Sequence, residues 1–168
     1  NLIEDAGIAW TYFKRFGDRE TGFAPASAWI EDKNQSLYPF ITMWDCGSEL
    51  LALVASHSLR IIGDKEFLDR AATLVAHLHD GDRTADGMRL PKSFMSITGN
   101  GQGESGYDAS DMGRLLVALK VIEAYSAGAI DAATAVAGWD LVKTIINGRI
   151  HSFKDGKMID IHHTAYAN

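Results

Sequence analysis

Carboxylates set beside aromatic and amide side chains are the most chemically suggestive feature of this 168-residue sequence. Asp18, Glu20, Asp45, Glu104, Asp108, Asp111 and Asp160 are accompanied by Trp29, Tyr38, Trp44, Phe94, Asn100, Gln102 and Tyr107. That combination suits carbohydrate. Sugar C–H faces stack on aromatic rings, hydroxyls bond to carboxylates and amides, and glycoside hydrolysis ordinarily uses two carboxyl groups. One of the pair must hold a proton near neutral pH, which apolar or like-charged surroundings can arrange. The candidate catalytic acids are therefore Glu104, Asp108, Asp45 and Asp111. The candidate substrate contacts are Trp44, Tyr107, Gln102 and Asp160.

Each residue also has a structural reading. Asp45 and Asp111 stand where helices begin and suit N-capping, although a capping Asp at a pocket rim can also face a ligand. Asp108 competes with Ser110 for the cap of the same helix as Asp111. Glu104 lies in the run Gly99-Asn100-Gly101-Gln102-Gly103-Glu104-Ser105-Gly106, where a carboxylate has no capping duty. Asp18 and Glu20 read as turn and solvated residues. Trp44, at a position preceding a helix, suits a hydrophobic staple and a sugar-stacking platform equally.

Other chemistries find little support. Gly101-Gln102-Gly103-Glu104-Ser105-Gly106 fits G-x-G-x-x-G, but it lacks a βαβ context and sets an acid in the phosphate cradle, so it is not a dinucleotide site. No Walker A, H-E-x-x-H or EF-hand loop is present. His77 and His79 diverge on a helix, and His162 and His163 diverge as neighbours, so no metal site is expected and no cofactor is implied. His57 reads as a satisfied core histidine and Cys46 as a buried thiol. A single cysteine excludes an internal disulfide. The net charge of −6, with no long Lys/Arg run, argues against a nucleic-acid surface. No apolar run is long enough to span a membrane. The chain starts at Asn1 without a basic and apolar leader, so no targeting signal is visible, and the missing Met suggests a processed product or a fragment.

The elements that must position these residues are mostly helices. Helical periodicity covers 2–16, 46–62, 65–79, 112–127 and 132–147. The second is apolar nearly all round and is expected to be deeply buried. Asp64 and Asp131 read as N-caps, and Asn147-Gly148 as a C-cap. Strands are minor: a small hairpin at 149–161 around Asp155-Gly156, and extended chain at 88–97 limited to an edge by Pro91. Long and short connections alternate, so the long ones should gather at one end of an up-and-down array. An internal repeat supports this. Asp45-Cys46-Gly47-Ser48-Glu49-Leu50-Leu51-Ala52-Leu53 matches Asp111-Met112-Gly113-Arg114-Leu115-Leu116-Val117-Ala118-Leu119 in the pattern D-x-G-x-x-L-x-A-L. The expected fold class is all-α, built of successive helical hairpins.

Three segments carry a family resemblance. Glu20-Thr21-Gly22-Phe23, Thr42-Met43-Trp44-Asp45-Cys46-Gly47 and Ser110-Asp111-Met112-Gly113-Arg114-Leu115-Leu116 resemble a bacterial family of unknown function, the DUF family numbered 3131. That family is similar to the glucoamylase-like helical toroids, including the glucan-processing domains of cyclic glucan synthases. The resemblance implies an (α/α) toroid with a carbohydrate-facing cleft at one end and a periplasmic or extracellular bacterial location. His163-Thr164-Ala165-Tyr166-Ala167-Asn168 looks like the start of a further helix, so residues 1–168 are expected to form about half of a toroid. The rest would come from a larger chain or a second copy.

Two functions follow as expectations. One is a glycoside hydrolase-like protein acting on a bacterial glucan or exopolysaccharide through paired carboxylates. The alternative is a non-catalytic glycan-binding or scaffolding module of the envelope. In both the partner is an oligo- or polysaccharide, with no nucleic acid and no membrane span.

Overall fold

The structure, a computed structural model, describes residues 1–30, 35–85, 87–100, 103 and 106–160. Its scaffold is helical: α1 (Leu2–Phe16), α2 (Met43–Ser58), α3 (Asp64–Ala76), α4 (Ala109–Tyr125) and the short α5 (Ala132–Val136). Local chemistry sets where these helices start. The Asn1 side chain accepts the Ile3 N–H at 3.2 Å. Glu4 and Asp5 in the first turn of α1, with Lys14 and Arg15 in its last, suit the helix dipole. Thr42 and Asp45 form a reciprocal capping box on α2. Asp108 caps α4 and Asp131 caps α5. Asp64 does not cap α3, contrary to expectation. Gly63 holds that position, and Asp64 bonds His57 Nε2 at 2.8 Å instead.

The all-α expectation is overturned by the long connections, which fold into short strands. The first contains β1 (Ser27–Ile30), β2 (Gln35–Tyr38) and β3 (Phe40–Thr42). The second contains β4 (Asp82–Ala85), β5 (Met88–Pro91) and β6 (Phe94–Ser96). After α5 come β7 (Ile145–Ile146), β8 (Arg149–Lys154) and β9 (Lys157–Asp160). They pair antiparallel as β1–β2, β4–β5, β3–β6 and the ribbon β7–β8–β9. Apart from the six-residue β8, these strands have two to four residues, too few alternations to reveal period two, so helical periodicity dominated the sequence. The β3–β6 pair ties the first long connection to the second, with Ile41 opposite Met95 and Thr42 opposite Phe94. The second is tied to the chain after α5 by Tyr107 and Phe153, which exchange backbone hydrogen bonds of 2.8 and 2.9 Å. Gly103 bridges to Met95, and a side chain there would strike the Phe94 carbonyl.

The last expected helix is also corrected. It stops at Val136, and residues 137–147 leave it. Gly138 takes a left-handed φ of +86°. Asp140 then docks on β5: its carboxylate accepts the Arg89 N–H at 2.8 Å, and its own N–H reaches the Arg89 carbonyl at 2.9 Å. A one-turn 3-10 segment, Leu141–Thr144, follows. Asn147-Gly148, expected as a helix C-cap, is the tight turn between β7 and β8, with φ of +51° and +75°. Asp155-Gly156 repeats that geometry between β8 and β9, as the hairpin signal implied.

The core lies where α2 meets α4. Leu50, Leu53, Met43, Met112, Leu115, Leu119 and Ile122 are all essentially inaccessible. Gly47 permits the approach, because a Cβ there would sit 3.1 Å from the Arg114 carbonyl and from the Leu115 backbone. Its repeat mate Gly113 has nothing within 4 Å. Gly47→Ala is therefore expected to destabilise the fold by about 1–3 kcal/mol through overpacking. Gly113→Ala, in dilute solution, should be neutral or stabilise by up to about 1 kcal/mol through helix propensity. Urea unfolding of the two variants checks the contrast.

Candidate active site

The packing of α2 on α4 sets their first turns side by side. Asp45 and Asp111 occupy the same position, the third residue, of the two helices. Asp45 Oδ2 accepts the Thr42 N–H at 3.0 Å and the Thr42 hydroxyl at 2.9 Å. Asp108 Oδ1 accepts the N–H groups of Ser110 and Asp111 at 2.8 and 3.2 Å. Neither Asp45 nor Asp111 is the N-cap. Thr42 and Asp108 are.

Asp111 reaches across to the α2 terminus. Its carboxyl pKa is pushed up to about 6, first by burial and then by the charge of Asp108. The Thr42 hydroxyl opposes the rise, Asp45 adds to it, and the Trp44 backbone N–H opposes it again. A carboxyl in that range holds its proton part of the time at neutral pH, as a general acid requires.

Trp44 sits within the first turn of α2, not before the helix, so it is not a staple at the preceding position. The residue is 42% exposed. The Arg114 guanidinium lies over it, 4.5 Å from the centroid. Arg114 Nε donates to Ser48 Oγ at 2.9 Å, and Ser48 Oγ donates to the Trp44 carbonyl at 2.9 Å. Ser48 and Arg114 are repeat mates, so this bond runs between the two copies. One face of the Trp44 ring is thus occupied by a cation. Aromatic residues continue along the adjoining strands. The Phe40 ring lies tilted against Tyr38 at 5.4 Å and edge-on against Phe94 at 5.2 Å. Phe94 stands opposite Thr42 in the β3–β6 register.

A buried acid absent from the sequence-derived set lies one turn deeper. Glu49 is 3% exposed and accepts the Ala24 N–H at 3.1 Å. Burial pushes its pKa up to about 7; the Ala24 bond and Arg70 oppose this, and Asp45 adds to it. The repeat held a signal for it. Glu49 aligns with Leu115, which is fully buried. A charged residue in a core position of one copy marks a special environment.

The other sequence candidates are placed as follows. Tyr107 is 4% exposed, with its pKa pushed up to about 12 by burial against an opposing bond to Thr144. It presents no open ring face. Asp160 is ion-paired with Arg149 at 3.0 Å on the β8–β9 ribbon. Asp108 borders a shallow cavity of about 230 Å³ with Ser93, Ser152 and Lys154. Gln102 and Glu104 lie outside the described residues. Asp18 accepts the N–H groups of Glu20 and Thr21, a turn role. A groove of about 660 Å³ runs between α1 and α3 beside Asp18 and Arg19, and contains none of Asp45, Asp108 and Asp111. Its lining mixes both charge signs, so the acid cluster, with its aromatic neighbours, is the better chemical candidate. Among the described residues no group of three or more His, Cys, Asp and Glu could hold a metal ion. Cys46 is buried and its thiol is pushed well up by burial.

The elevated Asp111 pKa has a stability consequence. An unfolded Asp titrates near about 3.9. The folded state therefore binds the Asp111 proton more tightly, so this contribution is present below pH 4 and lost as pH rises through 6. Asp111→Asn should gain stability over the parent on moving from pH 4 to pH 8, by on the order of 1 kcal/mol for a half-buried group partly screened by solvent. Urea unfolding at both pH values measures it. Carboxyl-carbon NMR should find Asp111 titrating near 6, and lower in Asp108→Asn.

Comparison with known proteins bears on the fold. Two solved structures match: a "putative glucoamylase" from Bacteroides fragilis, with a TM-score of 0.68 and 16% identity, and another from Bacteroides caccae, with a TM-score of 0.67 and 17% identity. Each match covers 89% of this chain, but only 39% and 40% of the respective neighbour. At such identity the likeness shows a shared fold. A search of curated proteins found no match. A family model described as protein of unknown function, DUF3131, matches residues 4–164, and the chain belongs to that family.

Proposed function

We propose that this chain is a glycoside hydrolase-like, carbohydrate-active protein, acting on a bacterial glucan or exopolysaccharide. The observation that carries the reading is the meeting of Asp45 and Asp111 at two adjacent helix starts, with Asp111 held partly protonated near neutral pH. In this reading Asp111 is the general acid that protonates the departing glycosidic oxygen. Asp45, fixed by Thr42, is the base that activates water or the nucleophile at the anomeric carbon. The separation of the two carboxyls in the substrate complex would decide inversion or retention. Asp108 keeps the Asp111 proton in place by its charge. Trp44, half-exposed beside Arg114, and Tyr38, Phe40 and Phe94 on the adjoining strands would supply the aromatic surface. The fold shared with the two Bacteroides proteins, each described as a "putative glucoamylase", agrees with a sugar substrate. A periplasmic or extracellular location, and completion into an (α/α) toroid, belong to the same proposal.

A second reading has its own support. Asp45 and Asp108 both serve in helix capping, which a purely binding protein would need as well. Incubation with a panel of bacterial glucans, followed by mass spectrometry, separates the two. Shortened oligosaccharides are expected, with turnover reduced about 10²- to 10⁴-fold in Asp111→Asn. Measurable glycan binding that Trp44→Ala abolishes, with no product from any glucan, would establish the binding module instead.

A further inference from the structure

The groove between α1 and α3 takes no part in the proposed chemistry, and its charges do not balance. Its volume of about 660 Å³ is that of a small-molecule site. Lys14, Arg19, Lys65 and Arg70 line it against Asp18, Glu66 and Asp69. On a chain of net charge −6 this is a local excess of cations.

The acids of the groove are already engaged. Asp69 is ion-paired with Lys65 one turn away on α3. Glu66 accepts Arg70 Nε at 3.0 Å. Asp18 Oδ1 accepts the N–H groups of Glu20 and Thr21 at 2.9 and 3.0 Å. What is left over is donors. Lys14 and Arg19 have neither a hydrogen bond nor an ion pair among the described residues. Arg19 stands in a turn closed by two backbone bonds, Gly22 N–H to the Asp18 carbonyl at 3.1 Å and Asp18 N–H to the Phe23 carbonyl at 2.9 Å.

Arg70 is not a loose surface cation. Its side chain is 30% exposed, Glu66 holds its Nε, and its guanidinium lies over the Trp10 ring, 5.5 Å from the centroid. Its two terminal nitrogens carry no hydrogen bond among the described residues. A planar guanidinium pinned on one edge and open on the other matches a carboxylate, which it can bind with two parallel bonds. Phe13, packed against Trp10 with ring centroids 5.3 Å apart, lines the same groove and adds an aromatic surface.

We propose that this groove binds a carboxylate-bearing sugar unit of an acidic glycan. Arg70 takes the carboxylate, Lys14 and Arg19 add positive charge, and Phe13 meets the C–H face of the sugar. That the anion is carried on a sugar rests on the glycan reading above, whereas the oxyanion site itself does not. The groove contains none of Asp45, Asp108 and Asp111, so its part is to hold a glycan and not to cleave it.

NMR titration of the 168-residue chain tests this with three probes: a galacturonate trimer, neutral maltotriose and inorganic phosphate. The trimer should shift the amides of Phe13, Arg19, Arg70 and Thr73 to saturation, more weakly as salt rises, and maltotriose should not. Lys14 and Arg19 are exposed, so the double variant Lys14→Ala/Arg19→Ala should fold, which circular dichroism checks. It should bind the trimer about 10-fold or more weakly. Arg70→Lys keeps the charge and loses the planar fork, so it should weaken the trimer more than phosphate. The readout needs no turnover, so a lack of glucan cleavage and a lack of trimer binding are separate failures. No saturable trimer binding overturns the proposal, as does an affinity that the double variant leaves unchanged. Maltotriose or phosphate binding as tightly as the trimer overturns the assignment to an acidic glycan.

Discussion

The approach of α2 to α4 through Gly47 is the constraint on which the rest of the molecule depends. Without a Cβ at that position, the Arg114–Leu115 backbone sits against α2, and the two helices share the core of Leu50, Leu53, Leu115 and Leu119. Two positive helix ends are thereby set side by side, which is why acids are tolerated there in such number. The same contact carries Arg114 onto Trp44 and Asp111 toward Thr42. Because β3 runs directly into α2, it also fixes the β3–β6 pair and the aromatic surface beside the acids.

The helical part of this arrangement was legible in the sequence. The first helix was placed at its observed bounds, and the D-x-G-x-x-L-x-A-L repeat identified α2 and α4 as equivalents and their acids as neighbours of helix starts. The β8–β9 hairpin was legible from Asp155-Gly156 and the extended chain at 88–97 was also expected, but the strands of the first long connection were not. Phe40–Thr42 is three residues long, and its partner Phe94–Ser96 lies in another connection, so nothing local records the pairing. Residues 137–147 misled for a different reason. Their apolar spacing is helical, yet Asp140 gains two hydrogen bonds with the Arg89 backbone, one accepted and one donated, by leaving the helix, and Val142 ends exposed. Tertiary bonding overrode a weak local preference. Asp45, Asp108 and Asp111 were legible as acids near helix starts. Which of them caps and which is held protonated depends on a neighbouring helix, and the sequence does not record that distance.

The most informative feature of the repeat is where it breaks. Leu115 is fully buried in the second copy, whereas Glu49 stands in its place in the first. A buried carboxylate costs several kcal/mol unless it is bonded or neutral. Glu49 is served by the Ala24 N–H, and its proton is retained to about pH 7. Arg70, the cation that opposes this, is itself engaged with Glu66 at 3.0 Å and lies over Trp10. A leucine would satisfy the core there as it does in the second copy. The glutamate instead anchors the chain just before β1 to the middle of α2, and adds its charge to the set that raises the Tyr12 phenol after burial and Asp45.

Capping and chemistry are compatible in these acids because of how the bonds are distributed. Both bonds to Asp45 from Thr42 fall on Oδ2, and both bonds to Asp108 from the α4 backbone fall on Oδ1. Each carboxylate has two oxygens and room for several donors. One oxygen therefore fixes the rotamer, and among the described residues the other carries no hydrogen bond. A carboxylate pinned in this way is already oriented before a ligand arrives, which is the condition under which a charged group contributes most to a transition state. Asp111 is the complement. It accepts little from its own helix, lies among like charges, and keeps its proton for longer. Two fixed anions around one reluctant acid is the asymmetry on which the proposed acid–base reading rests. It arises here because the same motif was used twice, with Thr42 as the cap of one copy and Asp108 as the cap of the other.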